Sequence, residues 1–134
     1  MKKYYFDTSI WLDVIEERGE HCDVAMALIA MISENEDTIL FSDTIMTELK
    51  NLGYSRDGII EVFKERPTLK LQRVHTTRHQ LHEARRITAA SSVPYRDAMH
   101  AVLTRDNNAI LVSRDRHFNL LRHITHAARP EELQ

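Results

Sequence analysis

Four acids, Asp7, Glu48, Asp97 and Asp115, are the residues of this chain whose type and setting point most directly to chemistry. Asp7 closes the apolar run in "KKYYFDTSIWLD", Glu48 lies in "IMTEL", Asp97 in "YRDAMHAV", and Asp115 follows "ILVS". Taken singly, each Asp can serve as an N-terminal helix acid that accepts hydrogen bonds from the free N–H groups of a first turn. Glu48 alone can be a solvated helix residue. Their flanks argue for more. Glu48 and Asp97 stand beside apolar residues of a core-facing stripe, where a carboxylate is costly to leave unpaired. Should the four converge, repulsion would cost about 4 kcal/mol per close pair at an effective dielectric near 20. A divalent cation would offset it.

Such acids act together only if separate elements deliver them to one place. "KYYF" reads as a short buried strand, then "TSIWLDVIEERG" as a helix capped by Asp7 or Thr8 and stopped at Gly19. "HCDVAMALIAMISEN" is a helix apolar nearly all round, whose Met-rich surface suits the core or a partner. The strand "TILFS" leads into the helix "DTIMTELKNLG", with Ser42 or Asp43 as its cap. "SRDGIIEVFKERP" is expected to be helical and to stop before Pro67. "LKLQRV" alternates as an edge strand does. "TTRHQLHEARRITAASS" and "PYRDAMHAVLTRDNN" are helical, the second with Pro94 in its first turn. "AILVS" is an apolar strand, "RDRHFNLLR" a short helix and "HITHA" a final strand. Strands alternating with helices give an α/β fold with a largely parallel sheet. Ligands of such sheets bind beyond the carboxyl ends of the strands, where Asp7, Ser42 with Asp43, and Ser113 with Asp115 fall.

Composition narrows the function classes. A length of 134 residues is expected to give one domain with its own core. The single cysteine, Cys22, permits no internal disulfide or Cys-based zinc site and fits a reducing, cytoplasmic setting. The start has no uninterrupted apolar core before Asp7, so it is a poor signal peptide, and "VAMALIAMI" is too short to span a bilayer. A formal net charge of −2 argues against a uniformly basic surface but allows a basic groove beside an acidic one.

The order "YYFDTSIWLD", "SDTIMTEL", "YRDAMHAVL" and "ILVSRDRHF" resembles the PIN-domain nucleases, especially the VapC-type toxins of prokaryotic toxin–antitoxin pairs. The resemblance covers nearly the whole chain and implies a PIN-like three-layer α/β/α sandwich with a central, mostly parallel sheet. Matched position by position, Asp7, Glu48, Asp97 and Asp115 correspond to the family's acidic quartet. Ser113 matches its hydroxyl residue before the last acid, and Thr8 and Ser9 its polar residues after the first. Many members carry an acid two positions beyond the last Asp, where this chain has His117, so an extra metal ligand is not expected there.

The resemblance implies a metal-dependent endoribonuclease that forms a homodimer and is bound by an antitoxin partner. Carboxylate-only sites select hard cations, so Mg²⁺ or Mn²⁺ is expected. A water deprotonated with the ion's help would attack a phosphodiester in line and leave a 5′-phosphate and a 3′-hydroxyl. Asp7, Asp97 and Asp115 are expected to hold metal, Glu48 to bind a second ion or orient the water, and Ser113 to stand behind them. Arg96, Arg105, Arg114 and Arg116 lie near these acids in sequence, and Lys50 follows Glu48. Guanidinium groups suit phosphate oxygens, so Arg96, Arg114 and Arg116 are expected to contact substrate. Family analogy favours single-stranded or looped RNA.

His79 and His82 lie three apart on one helix, but no third ligand is evident, and these and His117, His123 and His126 read as surface residues. Two other functions fit the outline. A non-catalytic PIN-like module would bind RNA or serve an assembly, against which the intact quartet argues. A receiver domain would need paired acids after the first strand and a late Lys, yet "YYFDTS" has one acid and no Lys follows Lys70.

Overall fold

A computed structural model of the chain describes residues 1–63 and 69–134. Strands β1 (Lys3–Phe6), β2 (Thr38–Ser42), β3 (Lys70–Val74), β4 (Ile110–Val112) and β5 (Ala127–Ala128) form one sheet in the order β3-β2-β1-β4-β5. Every neighbouring pair is parallel. Helices α1 (Thr8–Ile15), α2 (Gly19–Glu34), α3 (Asp43–Asn51), α4 (Arg56–Phe63), α5 (Arg78–Ser91) and α6 (Tyr95–Asp106) connect the strands in a three-layer α/β/α arrangement. Short 3₁₀ segments at Arg116–Leu121 and Pro130–Leu133 flank β5. No described helix is long and apolar enough to cross a membrane.

The strand order places the site. From β1 the chain steps outward to β2 and β3, then returns to the other side of β1 for β4 and β5. β1 is therefore the switch point of the sheet, with a crevice outside its carboxyl end. Its Tyr4, Tyr5 and Phe6 are all buried, because a central parallel strand is covered on both faces and reads as an unbroken apolar run. β3 is the exposed edge, and only Val74 at its end is buried. Trp11 on α1 anchors that helix to β1, its ring 5.5 Å from that of Phe6 and its indole N–H donating to the Phe6 carbonyl at 3.1 Å. α2 turns Ala25, Leu28, Ile29 and Ile32 into the core and leaves Met26 and Met31 half-buried.

Two joints differ from the sequence reading. Gly19 opens α2 instead of ending α1, which closes at Ile15. The reversal between the two helices places both Glu17 (φ 50°) and Gly19 (φ 56°) in the left-handed region, so the glycine's freedom serves the turn. The last strand is Ala127–Ala128 rather than "HITHA", since Ile124 and Thr125 donate back to the Leu121 carbonyl and hold that stretch in a turn. The expected stop before Pro67 lies outside the described residues.

Candidate active site

Asp7 is the first residue beyond β1 and caps α1. Its backbone N–H extends the sheet ladder by donating to the Val112 carbonyl at 3.1 Å. Its Oδ1 accepts from the Ile10 N–H at 3.2 Å and from Ser9 Oγ at 2.7 Å, while Ser113 Oγ donates to Oδ2. The helix-capping explanation is thus true of Asp7, yet it accounts for only one of its two oxygens. Ser113, just beyond β4, also accepts from the Asp115 N–H at 2.9 Å, so one hydroxyl ties the ends of β1 and β4 together. Burial pushes the Asp7 carboxyl above the ordinary aspartate range, and the two serine bonds oppose that shift only in part.

Glu48 projects from α3, the helix that Ser42 caps by accepting from the Ile45 N–H at 3.1 Å. Thr8 Oγ1 donates to one Glu48 oxygen at 2.6 Å, and His100 Nε2 donates to the other at 2.8 Å. His100 is buried in α6, with its Nδ1 2.6 Å from the Tyr5 hydroxyl, which lies 2.6 Å from Ser42 Oγ. A chain of four side chains therefore runs through the core from the α3 cap to Glu48. Burial pushes Glu48 up, but the His100 and Thr8 bonds outweigh it and hold the carboxyl below its ordinary range.

Asp97 and Asp115 face each other across a third part of the site. Asp97 occupies the first turn of α6 and is 7% exposed; Asp115 caps the 3₁₀ turn that follows β4. His117 Nδ1 lies 2.9 Å from Asp97 Oδ2 and 3.2 Å from Asp115 Oδ1. Burial, then the charge of Asp115, raises the Asp97 pKa. The bond to Asp97, then the charge of Asp115, raises that of His117. Ligand atoms of Asp97, Asp115 and His117 lie within 4.8 Å of one another, and among the described residues no other such group occurs. This donor set fits a divalent cation: two carboxylates that repel each other at the edge of the core, with an imidazole nitrogen beside them.

The structure gathers Asp7, Glu48, Asp97 and Asp115 along one cleft of about 270 Å³, lined also by Thr8, Ser9, Leu12, Leu52, Arg96 and His100. Arg96 thus lies where its sequence position suggests. Arg114 and Arg116 instead line a neighbouring pocket, and Arg105 is remote, ion-paired with Glu83 and Asp106 at the far end of α6. Two histidines depart from the sequence reading. His117, expected at the surface and not as an extra metal ligand, is exposed as expected yet meets both acids. His100 carries no expectation from sequence, although its place three residues after Asp97 puts it on the same face of α6. Tyr5 gives no signal beyond its strand, and Ser42, expected at the ligand-binding edge, is instead fully buried as the α3 cap against the Tyr5 hydroxyl. His79 and His82 join no metal-binding group among the described residues.

The family model described as PIN domain matches residues 4–124. No curated protein matches the sequence. Among solved structures, the chain is similar to VapBC2 from Rickettsia felis bound to a promoter DNA fragment, with 18% identity, a TM-score of 0.68, and coverage of 95% of this chain and 98% of that one. It is also similar to VapBC-1 from nontypeable Haemophilus influenzae, with 15% identity, a TM-score of 0.66, and coverage of 96% and 98%. A third is VapC20 from Mycobacterium tuberculosis, a sarcin–ricin-loop-cleaving toxin, with 15% identity, a TM-score of 0.65, and coverage of 88% and 94%. Likeness at this identity speaks for the fold alone.

Proposed function

The chain belongs to the PIN domain family, and from that premise we propose that it is a divalent-cation-dependent endoribonuclease, the toxin of a toxin–antitoxin pair. The observation that carries this reading is the set of four carboxylates, Asp7, Glu48, Asp97 and Asp115, lining one cleft at the switch point of a parallel sheet. Asp97 and Asp115, with His117 beside them, would hold a Mg²⁺ or Mn²⁺ ion, and Asp7 would join from the end of β1. When bound, such an ion makes a water more acidic and neutralises charge on the phosphodiester. The protein supplies the rest. Ser9 and Ser113 fix the orientation of Asp7. Thr8 and His100 fix both oxygens of Glu48, a carboxylate held ionised that would orient the attacking water or hold a second ion. Arg96, on the rim of the cleft, would meet the substrate phosphate.

The partners proposed with this activity are those the family resemblance implies: an antitoxin protein and a second copy of the chain, in a cytoplasmic setting. Incubation of the purified protein with an RNA pool, with Mn²⁺ or Mg²⁺ and then with chelator, tests the reading. Cation-dependent fragments with 5′-phosphate and 3′-hydroxyl ends are expected. An intact pool under all conditions, or cleavage that survives chelation, would refute it.

A further inference from the structure

Beyond the acidic cleft, and sharing Asp115 with it, lies a larger pocket of about 520 Å³ bearing four arginines, Arg114, Arg116, Arg122 and Arg129. The four are not equivalent. Arg114 is only 20% exposed, held by Glu131 at 2.6 Å and near Asp13 at 3.7 Å, so it braces the C-terminal turn. Arg129 is likewise matched by Glu132 at 3.0 Å. Arg116 and Arg122 are exposed and form no ion pair among the described residues, where the sole hydrogen bond of the Arg122 side chain is a 3.5 Å approach to Asn119. The acids of this pocket are thus spoken for, by the braced arginines and by the metal group, while two guanidinium heads flanking one 3₁₀ turn stay uncompensated.

We propose that this pocket holds the backbone phosphate of RNA next to the one being cut, with Arg116 and Arg122 as its ligands. The inference rests on the nuclease reading for the identity of its ligand. Position favours it: Asp115 forms a wall of both cavities, so a strand crossing the cleft continues over the arginines. Chemistry favours it too. Planar guanidinium forks match phosphate oxygens in pairs. Among the described residues no Phe, Tyr or Trp lines the pocket, and His21 is its one ring, so it lacks the broad faces on which successive bases stack. The grip is therefore on the backbone and independent of sequence. The expectation for Arg114 changes accordingly: it positions the turn that closes the pocket and does not itself reach substrate.

The test compares the full chain with the double variant Arg116→Gln/Arg122→Gln. RNA binding is measured against salt in the cleavage-disabled Asp97→Asn background, which reads the pocket even if no nuclease activity is found. The slope of log K against log salt is expected to become shallower by roughly 0.7, the value for one single-strand phosphate left without its guanidinium partners. In the active background, kcat/KM for an RNA oligonucleotide relative to bis(p-nitrophenyl) phosphate, a diester with no neighbouring phosphate, should fall roughly tenfold. Arg116→Lys/Arg122→Lys should restore most of the salt slope, since a point charge still displaces counterions. An unchanged slope, an equal loss on both substrates, or loss of polyglutamate binding with RNA binding intact would each overturn the proposal. The last would reassign the pocket to an acidic protein segment.

Discussion

The side chains of the cleft divide into those that strain the site and those that relieve it. Asp7 and Asp97 are driven up by burial, Asp97 further by its like-charged neighbour, whereas Glu48 is held down by His100 and Thr8. A carboxyl with a lowered folded-state pKa adds stability that is complete above its unfolded value, here 4.5, and is lost as pH falls from there through the lower folded value. Glu48→Gln keeps the shape but not the titration. Chemical denaturation of metal-free protein should therefore show the wild type losing stability to the variant over that acid interval. Superimposable acid limbs would mean that the His100 bond does not act on Glu48. At this scale Asp7, Asp97 and Asp115 are legible because each follows a strand or opens a helix, and Glu48 because it borders an apolar stripe within α3. His100 is not, because a histidine inside an apolar helix looks like core. Its role depends on Tyr5 and Glu48, 95 and 52 positions away in the chain.

Helices and strands are easier to read than the joints between them. β1, β2 and β4 announce themselves as apolar runs because both faces are covered, and α5 by its Thr77–Gln80 capping box. Gly19 misleads because a glycine after an apolar helix commonly marks its end. Here the same left-handed backbone starts the next helix instead. Open space surrounds the position a Cβ would take at Gly19, so Gly19→Ala would meet no clash but would incur the cost of φ 56°, about 1 kcal/mol of stability. Gly58 in α4 has an ordinary φ, and an added Cβ would sit in van der Waals contact with Ser55 Oγ at 3.7 Å. Gly58→Ala should stabilise by roughly 0.5–1 kcal/mol. Thermal melts of the two variants, shifting in opposite directions, check the pair. β5 is expected at "HITHA" but lies at Ala127–Ala128, because a strand of two residues shows no period to fix its bounds.

Across the molecule, a net charge of −2 conceals two opposed fields, an acidic cleft and an arginine pocket with a shared wall. The expectation that an acidic site could coexist with local basic surface therefore describes the structure well. Since only the folded chain assembles the acids, a divalent cation should raise its stability by linkage, about 2.7 kcal/mol at a hundredfold excess over Kd. For a chain of this size that is a midpoint rise of roughly 10 °C. Asp97→Asn should melt higher than wild type in chelator, having shed a buried charge, and should lose most of the Mn²⁺-induced rise. An equal rise in both proteins would place the ion elsewhere.

The position of β1 between β2 and β4 has a consequence for assembly. β1 gains its second neighbour only when residues 110–112 dock, and the last carboxylate of the cleft, at position 115, comes with them. Until then β1, β2 and β3 leave Asp7 without its Ser113 bond and Asp97 without its acidic neighbour. The four acids therefore meet only once both halves of the sheet have joined at β1.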